Sequence, residues 1–197
     1  MTRSRIDRLN LSDQQSEART GHIGSSVPLS RSGRTAFGGM LAALALIFSY
    51  IEVLIPFGLG IPGIKLGLAN IVVLIAIYTL GPAAGAAVNL VRIGMAALLF
   101  GSMYSAAYSL AGGLLSLAVM LLLRRSGAFR ISGVSMGGGF FHNLGQLLAA
   151  CFFSGTPRIF NYLPVLGLCG LMTGAVNGVI ATMVLETLDA GRSSHDV

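Results

Sequence analysis

Between residues 36 and 188 the chain passes through six apolar runs, near 36–55, 64–80, 82–100, 104–123, 132–153 and 163–188, cut by Gly, Pro, Ser or Arg. Each is close to the ~20 residues a helix needs to cross the hydrocarbon layer of a bilayer. Runs such as LAALALIFSYIEVLI are apolar on every side and show no strict alternation. A helix satisfies its own backbone inside hydrocarbon, whereas a membrane strand would alternate apolar and polar residues. The expectation is an all-α integral membrane protein, a bundle of six transmembrane helices. Its 197 residues are 54% hydrophobic and 10% charged, so the spans nearly exhaust the chain and no length remains for a second folded domain.

Charge then sets orientation. Residues 1–35 carry Arg3, Arg5, Arg8, Arg19, Arg31 and Arg34 against Asp7, Asp13 and Glu17, with too little apolar surface to fold alone. They read as a disordered basic tail. The 124–131 loop adds Arg124, Arg125 and Arg130, and a short tail at 189–197 adds Arg192, all on alternate connections. Only Lys65 and Arg158 fall near the opposite side. An excess of Arg and Lys marks the cytoplasmic face, so both termini are expected there, in a multi-pass protein of the plasma membrane. The first apolar run is long enough to span and lacks the features of a cleaved signal peptide, so the tail is expected to stay attached. The formal charge of +6 has no aromatic-interleaved basic patch behind it, which argues against a nucleic-acid partner. Cys151 and Cys169 lie inside apolar runs and read as free thiols.

Polar side chains inside such spans are costly and need a reason, about 2.5–3.5 kcal/mol for a central Arg or Lys on insertion scales. They are Glu52 in the first run, Lys65 and Asn70 in the second, Asn89 and Arg92 in the third, His142, Asn143 and Gln146 in the fifth, and Asn177 in the sixth. Helix rise places Glu52 and Lys65 at the outer boundary, Asn70 roughly 7 Å deeper, Arg92 roughly 12 Å below its outer end, and His142 with Gln146 near the midplane. Asn89 and Arg92, three apart, share a helix face, as do His142 and Gln146, four apart. Two cations against one carboxylate, open to the outside, suit an anionic or strongly polar small molecule. Arg92 is the expected deep anchor, because guanidinium can hold a carboxylate or phosphate through two parallel hydrogen bonds. Competing readings are that Glu52 merely neutralises Arg92 or Lys65, that Lys65 snorkels to headgroups, and that Asn70 and Asn177 join helices. A lone imidazole is a poor metal site, and no metal or cofactor is expected.

Small residues four apart let helices approach closely. Gly38 with Ala42, Gly39 with Ala43, Gly81 with Gly85, and Gly170 with Gly174 form such pairs. Packing within the bundle is one use for them; docking of another membrane subunit on the first helix is the other.

No G-x-x-x-x-G-K-[ST] occurs, so the chain has no P-loop of its own. Its aspartates, Asp7, Asp13, Asp189 and Asp196, all lie in the tails, which leaves no paired aspartate motif to hold magnesium against a diphosphate. Prenyl chain elongation by this chain alone is not expected.

Glu52 and Pro56 followed by GIKLGLANI at 63–71, a later span with Asn89 and Arg92, and GGGFFHNLGQ at 137–146 together resemble the Gx transporter family, also described as heptaprenyl diphosphate synthase component I. The resemblance covers roughly residues 36–188, and K-L-G-L-A-N is its most specific feature. It implies a fold like that of the substrate-binding S components of energy-coupling-factor transporters. In those, ligand enters from outside and small residues on the first helix contact a membrane subunit coupled to ATPases. Gly38, Gly39, Ala42 and Ala43 occupy that position here. The family's other description implies a different partner, a prenyl diphosphate synthase subunit to which this chain would be a non-catalytic accessory. A membrane anchor for a redox assembly is a third reading.

Overall fold

The computed structural model describes residues 30–54, 65, 67–100 and 103–193. They form six α-helices: α1 (Arg31–Leu54), α2 (Asn70–Thr79), α3 (Pro82–Phe100), α4 (Met103–Ser126), α5 (Ile131–Ser154) and α6 (Leu163–Ser193). A 3-10 turn (Pro157–Tyr162) joins the last two, and no strand occurs among the described residues.

Local signals fix the helix ends. Ser30 accepts the Gly33 amide at 3.1 Å on its hydroxyl, a side-chain cap that starts α1 at Arg31, ahead of the apolar run. Gly81 takes a left-handed φ of 99° after α2, its amide reaching back to Ala76, and Pro82 opens α3. Gly155, at φ 61°, closes α5 in the same way.

Four segments are long and apolar enough to cross a membrane: Arg31–Leu54, Pro82–Leu99, Met103–Ser126 and Pro157–Ala190. Large apolar side chains such as Leu98, Met103 and Met172 point outward from them, as expected of a surface that meets lipid. At 24 residues α5 is equally long, but its glycines and the polar trio His142, Asn143 and Gln146 dilute its apolar character.

The second span departs from expectation. Instead of a helix over 64–80, α2 has only 10 residues, about 15 Å by helix rise and half a bilayer. Gly67 is the reason: its φ of 83° is a left-handed conformation that interrupts a right-handed helix. All ten residues of α2 are buried, so it is the central rod of the bundle. That explains why it is apolar all round.

Two arginines hold the far end of this rod. Arg34 of α1 donates to the Leu80 carbonyl and Arg124 of α4 to the Ile77 carbonyl, each at 2.6 Å. The Arg124 guanidinium also lies 4.6 Å from the Tyr78 ring centroid. Cations at a helix C-terminus complement its dipole and satisfy its last carbonyls. The start of α1, the end of α2 and the end of α4 therefore share one end of the bundle, and it is the arginine-rich end.

Glycine governs the closest approaches. A β-carbon on Gly174 would fall 2.6 Å from the Ser135 carbonyl oxygen, and one on Gly178 2.6 Å from the Ser132 Cα, so the two helices α5 and α6 touch backbone to backbone. Gly145 of α5 sits as tightly on Ala111 and Gly112 of α4. The expected Gly170 and Gly174 pair thus packs within the bundle. On α1, by contrast, Gly39 and Ala43 are exposed, and Gly38 and Ala42 are only half-buried.

Candidate functional site

The free end of α2 meets a polar cluster in the middle of the bundle. Because Gly67 breaks the helix, the backbone of the preceding turn needs partners that a helix would have supplied, in a place where water cannot supply them. Three side chains do so. Glu52 of α1 accepts the Leu68 amide at 2.6 Å, Gln146 of α5 accepts the Lys65 amide at 2.8 Å, and Asn177 of α6 donates to the Gly67 carbonyl at 3.2 Å.

A second layer lies around the turn. Arg92 donates to Asn89 Oδ1 at 2.6 Å and to the Ser49 hydroxyl at 3.4 Å. Asn89 in turn donates to the Gly113 carbonyl of α4 at 3.0 Å, and Asn70 to the Ser116 hydroxyl at 3.3 Å. Gln146 Nε2 lies 2.6 Å from His142 Nε2. The amide nitrogen can only donate, so this ring nitrogen accepts and the imidazole is neutral with its proton on Nδ1.

Electrostatics bind the ionic groups. Glu52 acts on both Arg92 and Lys65 through space, and all three are buried, with 5%, 3% and 8% of their surface exposed. At their formal charges, two cations against one carboxylate give the cluster an excess of one positive charge. Glu52 Oε2 and Arg92 Nε are buried without a hydrogen-bond partner. Buried polar atoms of this kind are rare and ask for an explanation.

Seven of the eight residues expected to form a site converge here: Glu52, Lys65, Asn70, Asn89, Arg92, His142 and Gln146. Asn143 turns away and donates to the Leu166 carbonyl at 2.6 Å, tying α5 to α6. Glu52 and Lys65 are enclosed by the helices, so Lys65 does not snorkel to a surface. Residues 55–64 and 66 lie outside the described residues.

Sequence reasoning missed Ser49, Ser116 and the backbone of Gly67 and Leu68. A hydroxyl in an apolar run gives no signal of its own, although Ser49 lies three residues from Glu52 on the same helix face. Asn177, read as a helix-joining amide, proves to hold the turn itself.

Other concavities are of different character. A groove of about 490 Å³ between α4 and α5 is walled by apolar groups including Leu110, Leu114, Leu148 and Phe152. A smaller one of about 330 Å³ is formed by Arg158, Ile159, Asn161 and Tyr162. Among the described residues no group of three or more His, Cys, Asp or Glu side chains could hold a metal ion.

A family model described as heptaprenyl diphosphate synthase component I matches residues 41–184, from the middle of α1 through most of α6, and spans every member of the cluster. The chain belongs to that family. No curated protein and no solved structure matches it. The match takes in the K-L-G-L-A-N run, Asn89 and Arg92, and the glycine-rich stretch before His142, which carry the resemblance.

Proposed function

We propose that this component I chain is a non-catalytic membrane subunit that binds an anionic small molecule of the isoprenoid diphosphate class beside a separate prenyl diphosphate synthase subunit. The observation that carries the binding role is the buried cluster with net positive charge built around the interrupted helix α2. The family description supports the choice of partner and ligand class. Arg92 anchors the anion through its guanidinium, Lys65 adds a point charge, and Asn70, Asn89, His142 and Gln146 supply the polar wall. Glu52 balances charge, and Asn143 holds the wall's helix in place.

In this reading the chain crosses the plasma membrane with residues 36–188. The basic residues 1–35 and the short segment 189–197 lie in the cytoplasm, following the arginine-rich end of the bundle. The exposed strip with Gly39 and Ala43, flanked by Gly38 and Ala42, is the docking face for a membrane partner.

One observation favours a second reading, uptake of the ligand from outside. Transporters place their sites at helices interrupted halfway through the membrane, where half-helix ends and freed backbone groups face the substrate. The break before α2 has that form. The chain would then serve as a substrate-binding subunit whose energy comes from a separate coupling subunit with ATPases.

Purification in mild detergent, with mass spectrometry of retained small molecules and co-purifying proteins, tests both. A prenyl synthase subunit together with a diphosphate that is absent from an Arg92→Gln variant supports the first reading. Retention of an unrelated anion with ATPase-linked subunits would replace it with the second. Retention of no small molecule would refute the binding site itself.

A further inference from the structure

The turn that carries Gly67 has a shape of its own. Gly67 is left-handed at φ 83°, and Ala69, which follows Leu68, returns to the right-handed region at φ −63°. The Asn70 amide closes the turn on the Gly67 carbonyl at 3.1 Å, and successive amides of a turn that face one point, here those of Gly67 and Leu68, make a concavity for an anion, a backbone nest. It opens beside the N-terminus of a 10-residue helix, the positive end of its dipole.

The nest is full. The Glu52 carboxylate takes the Leu68 amide at 2.6 Å, with the Gly67 amide beside it, and acts electrostatically on Arg92 and Lys65. The backbone amides that would attract an incoming phosphate or carboxylate are thus turned toward an internal one. Two further atoms indicate that the arrangement is incomplete: Glu52 Oε2 and Arg92 Nε, both on residues more than nine-tenths buried, have no hydrogen-bond partner.

We propose that the 67–70 turn is the anion-binding nest of this site and that Glu52 fills it as a built-in pseudo-ligand, which an arriving anion must displace. The inference rests on the anionic-ligand reading above and adds the identity of the competitor. Glu52 is then a negative determinant of affinity: it offsets one of the cluster's two positive charges when empty and excludes anions too weakly charged to outcompete a carboxylate. Gly67 is required twice over, for its φ and because a β-carbon there would lie 3.0 Å from both Asn70 Nδ2 and His142 Cδ2.

The test is calorimetric titration of the purified full chain with inorganic pyrophosphate, comparing wild type, Glu52→Gln and Arg92→Gln. Glutamine keeps an oxygen for the Leu68 amide and removes the charge. Glu52→Gln is expected to bind pyrophosphate at least tenfold more tightly than wild type, equivalent to about 1.4 kcal/mol. Binding that depends on Arg92 but is unchanged or weaker in Glu52→Gln would overturn the pseudo-ligand and leave the anion site standing. Absence of binding in wild type and Glu52→Gln alike would overturn both. Should Glu52→Gln fail to elute as a monodisperse species, Glu52→Asp serves in its place, since the shorter side chain withdraws the carboxylate from Leu68. A threefold or larger gain supports the proposal, and an unchanged affinity refutes it.

Discussion

Replacing Gly67 by Ala should destabilise the protein through two separable effects. The left-handed conformation costs an L-residue about 1–2 kcal/mol. The new methyl would also stand 3.0 Å from Asn70 Nδ2 and His142 Cδ2, tighter than nine in ten real β-carbon contacts, and hydrogen bonds hold both neighbours in place. Asn70 is bonded to Ser116, and His142 to Gln146, which in turn holds the Lys65 amide. Overpacking of a fixed site adds about 1–3 kcal/mol. The sum is about 2–5 kcal/mol, a fall in melting temperature of roughly 4–20 °C for a chain of this size. Gly39→Ala is the matched control. It lies within α1 with nothing within 4 Å of the added carbon, so helix propensity alone should stabilise it by about 1 kcal/mol. Thermal unfolding of both variants in one detergent, followed by circular dichroism, compares them directly. A Gly67→Ala melt within a degree of wild type, or a Gly39→Ala melt that falls just as far, would refute the argument from φ and space.

Other consequences are as concrete. Arg92→Lys keeps the charge but loses the fork that meets Asn89 and Ser49, so it should remain folded and bind pyrophosphate at least tenfold more weakly in the same titration. Gly174→Ala drives a methyl into the Ser135 carbonyl and should cost about 1–3 kcal/mol, read as a lower melting temperature. Arg124→Ala removes a bond to the Ile77 carbonyl and a cation over Tyr78, for a loss of about 1–3 kcal/mol in the same assay. Single cysteines at Ser32 and Arg125 should both react with a membrane-impermeant maleimide only from the cytoplasmic side of sealed cells. Labelling of either from outside would reverse the orientation.

Much of the architecture was legible, because apolar runs of membrane length and the breakers between them mark helices directly. The run at 64–80 misled for a specific reason. Its composition fits a continuous span, and Gly67 could as well have been a packing glycine. Partners on other helices, Glu52, Gln146 and Asn177, make a non-helical turn tolerable there. The same misreading hid the burial of Lys65, whose amide the interrupted turn brings to Gln146. Convergence of the cluster was readable because each polar residue in an apolar run demanded a partner. Asn143, one residue from His142, shows the limit: adjacent positions on a helix face different neighbours, and its neighbour is the Leu166 carbonyl.

The bonds that support the interrupted helix also set an order of assembly. Lys65 waits for a partner 81 residues downstream and Gly67 for one 110 residues downstream. Until α5 and α6 have been made, the turn holds amide and carbonyl groups that hydrocarbon cannot satisfy, and α2 is too short to cross the bilayer unaided. The second helix in the chain is therefore among the last to find its place. A ribosome-bound intermediate that ends before Asn177 would carry α2 undocked, with the centre of the fold still open.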